Sequence, residues 1–255
     1  MAEWLEDRER LRRFVFSDPV RNAVMAQRIF YPRRESKYLV DDADGPKAVA
    51  ALERPEDEFD AVPIAVMATD MRSGADVVGC LPDGKYWFHL SNENLLPVLR
   101  ERMKIGWYGR YWLLALPRGG LKAQARHETR KLDASCAARV AKVWSWDWDA
   151  TEYVKGRIEK GPSSGIFLDM ELVAWNLTHF ETDEVGVAGM LVVLPEYRSR
   201  GFAESVTIDV VKQIHASGKD VACHIHEDNQ PSLSLSERIG FRRICIQIWG
   251  DGVTR

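Results

Sequence analysis

The residues best suited to chemistry follow an apolar segment in the C-terminal part of the chain. Residues 191–194 predict the end of a buried strand, and a basic turn containing Arg198, Arg200 and Gly201 leads into an apolar-striped helix. A helix N-terminus presents unpaired backbone N–H groups and a partial positive charge, so it attracts phosphates. Because Gly201 has no side chain, a bound group can approach the backbone closely. The segment therefore predicts a phosphate-binding turn.

Two motifs in this region resemble those of a known superfamily. The spacing Arg198-x-x-Gly201-x-Ala203 after a strand resembles the pyrophosphate-binding motif of the GNAT superfamily, the acyl-CoA-dependent N-acyltransferases. A second segment, from Asn229 to the pair that ends in Phe241, resembles the part of those proteins that follows their fifth strand. Two motifs in the expected order are more specific than one.

The elements that must position these motifs also follow the order that the resemblance requires. From residue 129 to residue 249 the apolar patterns predict a strand, two helices, three strands, a helix, a strand, a helix and a strand. This order matches the GNAT fold, an α/β (α+β) fold with a central mixed sheet. Within the superfamily, residues 161–165, 171–175 and 194–198 resemble the glycine N-acyltransferase-like group.

The chain is expected to form two domains. Residues 127–255 would form the GNAT acyltransferase domain, and residues 1–126 an N-terminal α/β domain. That first part also mixes predicted strands and helices, which makes it a candidate degenerate GNAT-like copy. Within it, residues 76–81 and 85–90 predict a hairpin, because a Pro-Asp-Gly turn signal lies between them.

The resemblance implies that acetyl-CoA or another acyl-CoA is the co-substrate. Its pantetheine arm would pair with the end of the fourth strand of the fold, which requires that strand to separate from the fifth. Gly186 and Gly189 in the fourth strand fit either a bulge or close packing against a neighbour. Asn229 would bind the pantetheine or simply cap a helix. The residues expected at this site are Val192, Val193, Leu194, Arg198, Ser199, Arg200, Gly201, Phe202, Ala203, Asn229 and Ser232.

Acyl transfer to an amine needs a base that removes a proton from the amine, together with positioning and a backbone donor for the oxyanion. In similar enzymes the base is often a Glu early in the fourth strand, and Glu184 is the only carboxylate in the predicted strand 184–194. Asp183 and His179 are the alternatives. Where many GNAT enzymes carry an acidic Tyr, this chain has Ser236, which excludes a Tyr-dependent mechanism. A thiolate with a pKa of ~8.5 can leave without that help.

Alternating rings and carboxylates lie between the first two predicted helices of the second domain. In the GNAT fold this loop often borders the acceptor cavity, and such a pattern suits a small amine with an apolar body. The alternative is a hydrophobic clamp onto the N-terminal domain. The residues expected to contact the acceptor are Trp144, Trp146, Asp147 and Asp149.

Composition excludes several other classes. A net charge of -3 over 255 residues disfavours a general nucleic-acid binder, and no apolar run is long enough for a membrane helix. The four cysteines are scattered without a C-x-x-C pair, so no disulfide framework or metal site is expected. His224 and His226 share a strand face but have no third ligand in view. The charged N-terminus is unlike a signal peptide, which favours a cytoplasmic protein.

Taken together, these features predict an N-acyltransferase that moves an acetyl or short acyl group from acyl-CoA to the amine of a small molecule, by direct attack. The alternative is a non-catalytic acyl-CoA sensor or interaction module. The expected partner is the small amine, without nucleic acid, membrane or metal, and a homodimer is a candidate assembly.

Overall fold

The computed structural model describes residues 2–55, 60–145 and 148–255. The chain folds into two compact units. The first unit contains Met1–Leu113, Ile225–Asp228 and Arg243–Arg255, and the second contains Leu114–His224 and Asn229–Arg242. This division differs from the predicted boundary between residues 126 and 127, because the second unit begins earlier and the C-terminal strand lies almost wholly in the first unit.

The first unit is built on a sheet with the order β1-β2-β3-β4-β5-β11-β6. Its strands are β1 (Glu3–Leu5), β2 (Ser36–Val40), β3 (Ala48–Glu53), β4 (Ala61–Ala68), β5 (Lys85–Leu90), most of β6 (Met103–Leu116) and nearly all of β11 (Arg242–Thr254). Its helices are α1 (Arg12–Val15), α2 (Ala23–Phe30), α3 (Met71–Gly79) and α4 (Leu95–Arg102). β11 belongs here because its C-terminal part pairs antiparallel with the whole of β5, from Ile248 opposite Leu90 to Val253 opposite Lys85.

The predicted strand at residues 76–81 is wrong, because this segment forms the end of α3 and the turn after it. The carboxylate of Asp70 caps this helix by accepting the N–H of Ser73 at 2.9 Å. Val77 and Val78 then face the core of the unit. β4 and β5 run parallel, and parallel neighbours cannot be joined by a hairpin. The connection between them therefore contains a helix.

The second unit contains a sheet with the order β10-β9-β8-β7. Its strands are β7 (Ser163–Leu168), β8 (Glu171–Glu181), β9 (Val185–Val193) and β10 (Asp220–His226), and its helices are α5 (Ala137–Trp144), α6 (Thr151–Lys160), α7 (Phe202–Ala216) and α8 (Gln230–Ile239). β9 and β10 are parallel, whereas β7, β8 and β9 are antiparallel to their neighbours. The helices α5 and α6 pack in one apolar cluster on the sheet and α7 packs in another. From α5 onward the order of elements is the predicted one.

Two irregularities shape β8 and β9. Trp175 lies opposite Val192 while Leu177 lies opposite Gly189, so β9 carries an extra residue between these pairs. Met190, within that bulge, has a φ of 57°. Thr178 and Phe180 lie opposite consecutive residues of β9, so β8 carries its own extra residue. Bulges of this kind bend a strand and redirect its side chains.

Gly186 allows α7 to pack closely on β9. A Cβ at this position would lie 2.7 Å from Cγ2 of Ile214, a buried residue of α7. We expect Gly186→Ala to lower the free energy of unfolding by about 1–3 kcal/mol, the usual cost of overpacking. Gly156→Ala in α6 is the matched control, because a Cβ there meets nothing within 4 Å.

Gly156→Ala should leave stability unchanged or raise it by up to ~1 kcal/mol, because alanine favours a helix over glycine. Urea unfolding of the whole chain, followed by circular dichroism, measures both variants. Equal stability for Gly186→Ala and the parent would contradict the close packing of α7 on β9.

Candidate functional site

A cavity of about 630 Å³ lies at the N-terminus of α7 in the second unit. It is bordered by the end of β9, by the turn that follows, and by one face of α8. The predicted co-substrate residues that line it are Val192, Val193, Arg198, Ser199, Gly201, Phe202, Ala203, Asn229 and Ser232. The fold thus brings together the two sequence motifs, which lie on different elements.

Leu194 and Arg200, predicted at this site, do not line the cavity. Leu194 packs in the apolar cluster with α5 and α6, and its N–H donates to the carbonyl of Val173 at 3.0 Å. The guanidinium of Arg200 donates to the carbonyl of Glu196 at 3.2 Å and lies over the ring of Tyr197. Leu194 is therefore a core residue, and Arg200 lies beside Tyr197, which lines the cavity.

Arg238 is a cavity residue that the sequence reasoning missed. It lies on α8 with Asn229, Ser232 and Leu235, all of which line the cavity. Their three-residue spacing places them along one helix face. This spacing is the feature of the sequence from which Arg238 could be predicted as a site residue. Arg238 and Arg198 supply positive charge to the cavity, and Glu204 supplies the opposing carboxylate.

The turn that enters α7 is shaped to receive an anion. Ser199 has a φ of 60° and Gly201 a φ of 83°, a region that favours glycine. Gly201 is the residue before the helix, and no side chain caps this helix end. The first N–H groups of a helix have no intrahelical acceptor. Phe202, Ala203 and Glu204, which carry such groups, border the cavity.

The other wall of the cavity is an open strand edge. The register between β9 and β10 runs from Val185 opposite Asp220 to Ala188 opposite Cys223 and ends there. Within the described residues, no β10 partner is paired with β9 beyond Ala188. Val192 and Val193, further along this edge, line the cavity. An extended ligand could add to such an edge as a strand does.

Asn229 caps a helix, which is one of the two roles predicted for it. Its side-chain oxygen accepts the N–H of Ser232 at 3.2 Å, at the start of α8. It also borders the cavity. The side chain therefore faces the site while it holds the end of the helix.

Glu184 lies away from this cavity. It is an exposed residue in the turn before β9, whereas the cavity lies at the other end of that strand. Eight residues of extended chain separate Glu184 from Val192, about 26 Å at ~3.3 Å per residue. A general base must lie within hydrogen-bonding reach of the proton it removes. The structure thus corrects the position expected for Glu184, and Asp183 in the same turn is equally remote.

His179 lies nearer, because the bulge in β8 places it over β9. A Cβ at Gly189 would collide with the His179 ring, so the imidazole packs against this glycine. Gly189 is the first residue of β9 beyond its pairing with β10. The hydroxyl of Tyr153 donates to the carbonyl of His179 at 3.2 Å and lies 3.3 Å from Nδ1. This glycine therefore serves a close approach.

Trp144 belongs to an aromatic group around His179. Its ring centre lies 5.6 Å from that of His179, 5.5 Å from that of Tyr153 and 6.2 Å from that of Trp148. Asp149 is exposed, and its carboxylate accepts the N–H of Thr151 at 2.9 Å. Hydrogen bonds from Thr151 hold the pKa of Asp149 below its usual value. Trp146 and Asp147, also predicted to contact the acceptor, lie outside the described residues.

Comparisons with known proteins fit this arrangement. Residues 163–250 match a family model described as FR47-like protein. Curated proteins give no match. A Drosophila melanogaster protein of solved structure is 16% identical with a TM-score of 0.72, over 99% of this chain and 98% of its own.

Two further solved structures carry descriptive names. An acetyltransferase of the GNAT family from Colwellia psychrerythraea is 12% identical over 100% of both chains, with a TM-score of 0.63. A tandem GNAT protein from the clavulanic acid biosynthesis pathway is 12% identical over 99% of this chain and 98% of its own, with a TM-score of 0.59. The chain has the GNAT fold. The tandem neighbour accounts for both units, so the first unit is GNAT-like, as predicted, whereas the glycine N-acyltransferase-like subgroup stays a prediction.

The first GNAT-like unit lacks the features of this cavity. Where the second unit has a glycine turn before its helix, the first has Asp70, whose carboxylate already occupies the N-terminus of α3. Its parallel strands β4 and β5 stay paired from Ala61 and Lys85 to Val66 and Leu90. Among the described residues of the first unit, β4 and β5 thus stay together beside the capped start of α3, and we place the candidate site in the second unit.

Neither a metal-binding group nor a membrane-spanning helix is found in the described ranges. In residues 2–55, 60–145 and 148–255, no three His, Cys, Asp or Glu side chains form a group that could hold a metal ion. Across the same part of the chain, no helix is both long and apolar enough to cross a membrane.

Cys223 lies where β9 and β10 part, but it is a poor nucleophile. Burial raises the pKa of its thiol to about 12, although a hydrogen bond with Ser236 opposes this shift. Ser236, which stands where many GNAT enzymes carry a Tyr, is itself buried. The thiolate is the reactive form, so a raised pKa lowers the reactivity of this thiol.

We therefore expect Cys223 to resist iodoacetamide at pH 8 in the folded protein, while the exposed Cys80 reacts. Peptide mass spectrometry after timed labelling measures both sites, and labelling in urea is the control for intrinsic reactivity. Cys223 is half-buried, so labelling of Cys223 as fast as Cys80 in the native state would contradict the raised pKa of its thiol.

Proposed function

We propose that the second unit binds acyl-CoA, with acetyl-CoA the simplest choice, and passes the acyl group to the amine of a small molecule. The observation that carries this proposal is one cavity with two walls of different chemistry. One wall is an uncapped helix N-terminus behind a glycine with positive φ. The other is the part of β9 beyond its pairing with β10, at Val192 and Val193, where Nε of Arg198 donates to the Val193 carbonyl at 3.2 Å.

Both walls fit the chemical parts of CoA. The N–H groups at the start of α7 and the guanidinium groups of Arg198 and Arg238 suit a pyrophosphate. The edge of β9 offers backbone groups to the amides of the pantetheine arm. When bound, acyl-CoA supplies an acyl group activated as a thioester. The chain's own residues hold it, align the amine and accept a proton.

His179 is the base in this proposal. The Tyr153 hydroxyl proton is directed to the His179 carbonyl, so the hydroxyl oxygen can accept Nδ1–H and Nε2 then carries the lone pair. A chain bound at Val193 reaches Gly189, under the imidazole, after about 13 Å of open edge. In the reaction a C–N bond forms, the C–S bond breaks, the amine proton passes to Nε2, and the thiolate leaves.

The acceptor in this proposal is a small amine that binds against the aromatic group of Trp144, Trp148 and Tyr153. Indole and phenol faces attract a cationic or aromatic body by about 0.5–2 kcal/mol. The Trp144 ring and the Tyr153 hydroxyl contact His179, so the acceptor and the base would lie side by side.

The phosphate wall is tested by Gly201→Asp. A Cβ at Gly201 would lie 3.4 Å from Nε2 of His127. The added carboxylate would bring negative charge to the phosphate-binding turn, so we expect the Kd for CoA to rise by at least about tenfold, corresponding to ~1.4 kcal/mol. The matched control is Gly218→Asp, because Gly218 has a φ of 81° against 83° for Gly201 and a Cβ there meets nothing within 4 Å. Both variants bear the same backbone strain, but only one faces the cavity.

Calorimetric titration of the whole chain with CoA measures this effect. We expect one CoA per chain, because the first unit has Asp70 in the corresponding position. Unchanged CoA affinity in Gly201→Asp would refute the proposed phosphate site. Two CoA molecules per chain would refute the expectation that the first unit does not bind CoA.

The base is tested by comparing His179→Gln with Glu184→Gln. We expect His179→Gln to lower kcat by about 10²–10⁴-fold, the usual share of a general base, with the Kd for CoA nearly unchanged. Glu184→Gln should retain kcat within about twofold, since Glu184 lies in the turn before β9. Release of CoA from acetyl-CoA over a panel of amines measures both.

The reverse result would restore Glu184 and reject His179. If the parent protein binds CoA but no amine supports turnover, the sensor reading replaces the enzyme. In that case the effect of Gly201→Asp on CoA affinity still stands as a test of the site.

A further inference from the structure

We infer that His127 is a positioning residue that holds the phosphate-binding turn in its receptive form. This inference rests on the proposed function, because it concerns the same site. His127 lies 73 residues before the turn in the chain, and its Nε2 is 2.7 Å from the carbonyl oxygen of Arg200. That oxygen belongs to the peptide unit that joins Arg200 to Gly201.

The orientation of one peptide unit follows from this bond. No peptide in the described chain is cis, so the carbonyl of Arg200 and the N–H of Gly201 point in opposite directions. A carbonyl held by His127 therefore turns the N–H of Gly201 away from His127. Glycine readily adopts either orientation of such a peptide. If this peptide flipped, the carbonyl oxygen of Arg200 would face the side to which the N–H of Gly201 now points.

The next carbonyl is held as well. The backbone N–H and the hydroxyl of Ser205 both donate to the oxygen of Gly201, at 3.2 and 3.3 Å. Both carbonyls that flank the glycine thus have partners within the protein. A turn with its carbonyls engaged in this way can present N–H groups to an anion, as anion-binding nests do.

His127 is itself fixed in place by three contacts. Its N–H and that of Arg126 donate to the Ser205 hydroxyl oxygen, at 3.2 and 3.1 Å. Its ring meets the ring of Phe202 edge-on, with centres 4.7 Å apart. Ser205, in the first turns of α7, therefore links the backbone of Arg126 and His127 to this helix. The donor at Nε2 is available in the neutral tautomer with Nε2–H and in the charged form.

The test distinguishes the hydrogen bond that His127 donates from the packing of its ring. His127→Phe keeps a ring against Phe202 but removes the donor, and His127→Gln restores a donor. His215→Phe is the matched control. His215 lies in the last turn of α7, far from the phosphate-binding turn, and its Nε2 is likewise near a backbone carbonyl, 3.3 Å from that of Leu116. All variants are made in the whole chain, and CoA is the probe.

We expect His127→Phe to raise the Kd for CoA by about five- to tenfold, the effect of losing one oriented hydrogen bond. His127→Gln should stay within about twofold of the parent, and His215→Phe should leave the Kd unchanged even if Tm falls. Parent affinity in His127→Phe would overturn the inference. Equal weakening by His215→Phe would also overturn it, because the effect would then reflect general loss of stability.

A second readout needs no ligand. In the free protein the amide resonance of Gly201 should be single in the parent and should shift, broaden or double in His127→Phe, as the peptide samples both orientations. An unchanged Gly201 amide would overturn the inference whatever the CoA result. If the parent binds no CoA but this amide responds as expected, the proposed function fails and the role of His127 in the turn stands.

Discussion

The separation of β9 from β10 after Ala188 and Cys223 is the constraint on which the site depends. Parallel strands normally satisfy each other's backbone groups, so an unpaired edge costs free energy unless a ligand or solvent satisfies it. Here the open edge leads to the N-terminus of α7, where further N–H groups lack a side-chain cap. One cavity thus collects unsatisfied donors and acceptors from two elements, which is the requirement for binding a long polar ligand.

The first unit shows the same architecture with these needs met internally. β4 and β5 remain paired to Val66 and Leu90, and the carboxylate of Asp70 caps the helix between them. A capped helix gains about 0.5–2 kcal/mol over an uncapped one, but the capping carboxylate puts negative charge where a phosphate would bind. Stability and binding are alternatives at this position of the fold, and the two units differ in which one they keep.

The chemistry that we propose for the second unit depends on strand irregularities more than on the motifs. The extra residue in β8 puts the His179 ring over Gly189, and the bulge in β9 gives Met190 a positive φ. A one-residue insertion reverses the face of every following side chain in a strand. The extra residue in β8 therefore brings the His179 ring beside the open edge of β9. Glu184 fails because of distance, since it lies in the turn before β9, at the opposite end of that strand from the cavity.

The sequence by itself determined the local features: the basic glycine turn from Arg198 to Ala203, the helix that follows it, the cap at Asn229 and the order of elements in the second unit. These depend on backbone preferences and apolar periodicity within a few residues of each other, which are readable along the chain. Only the tertiary structure decided which residues meet from a distance. His127 reaches the turn across 73 residues, residues 76–81 join a helix because β4 and β5 run parallel, and the edge of β9 opens because its pairing with β10 stops. Such contacts are set by strand register and packing, which no short stretch of sequence encodes.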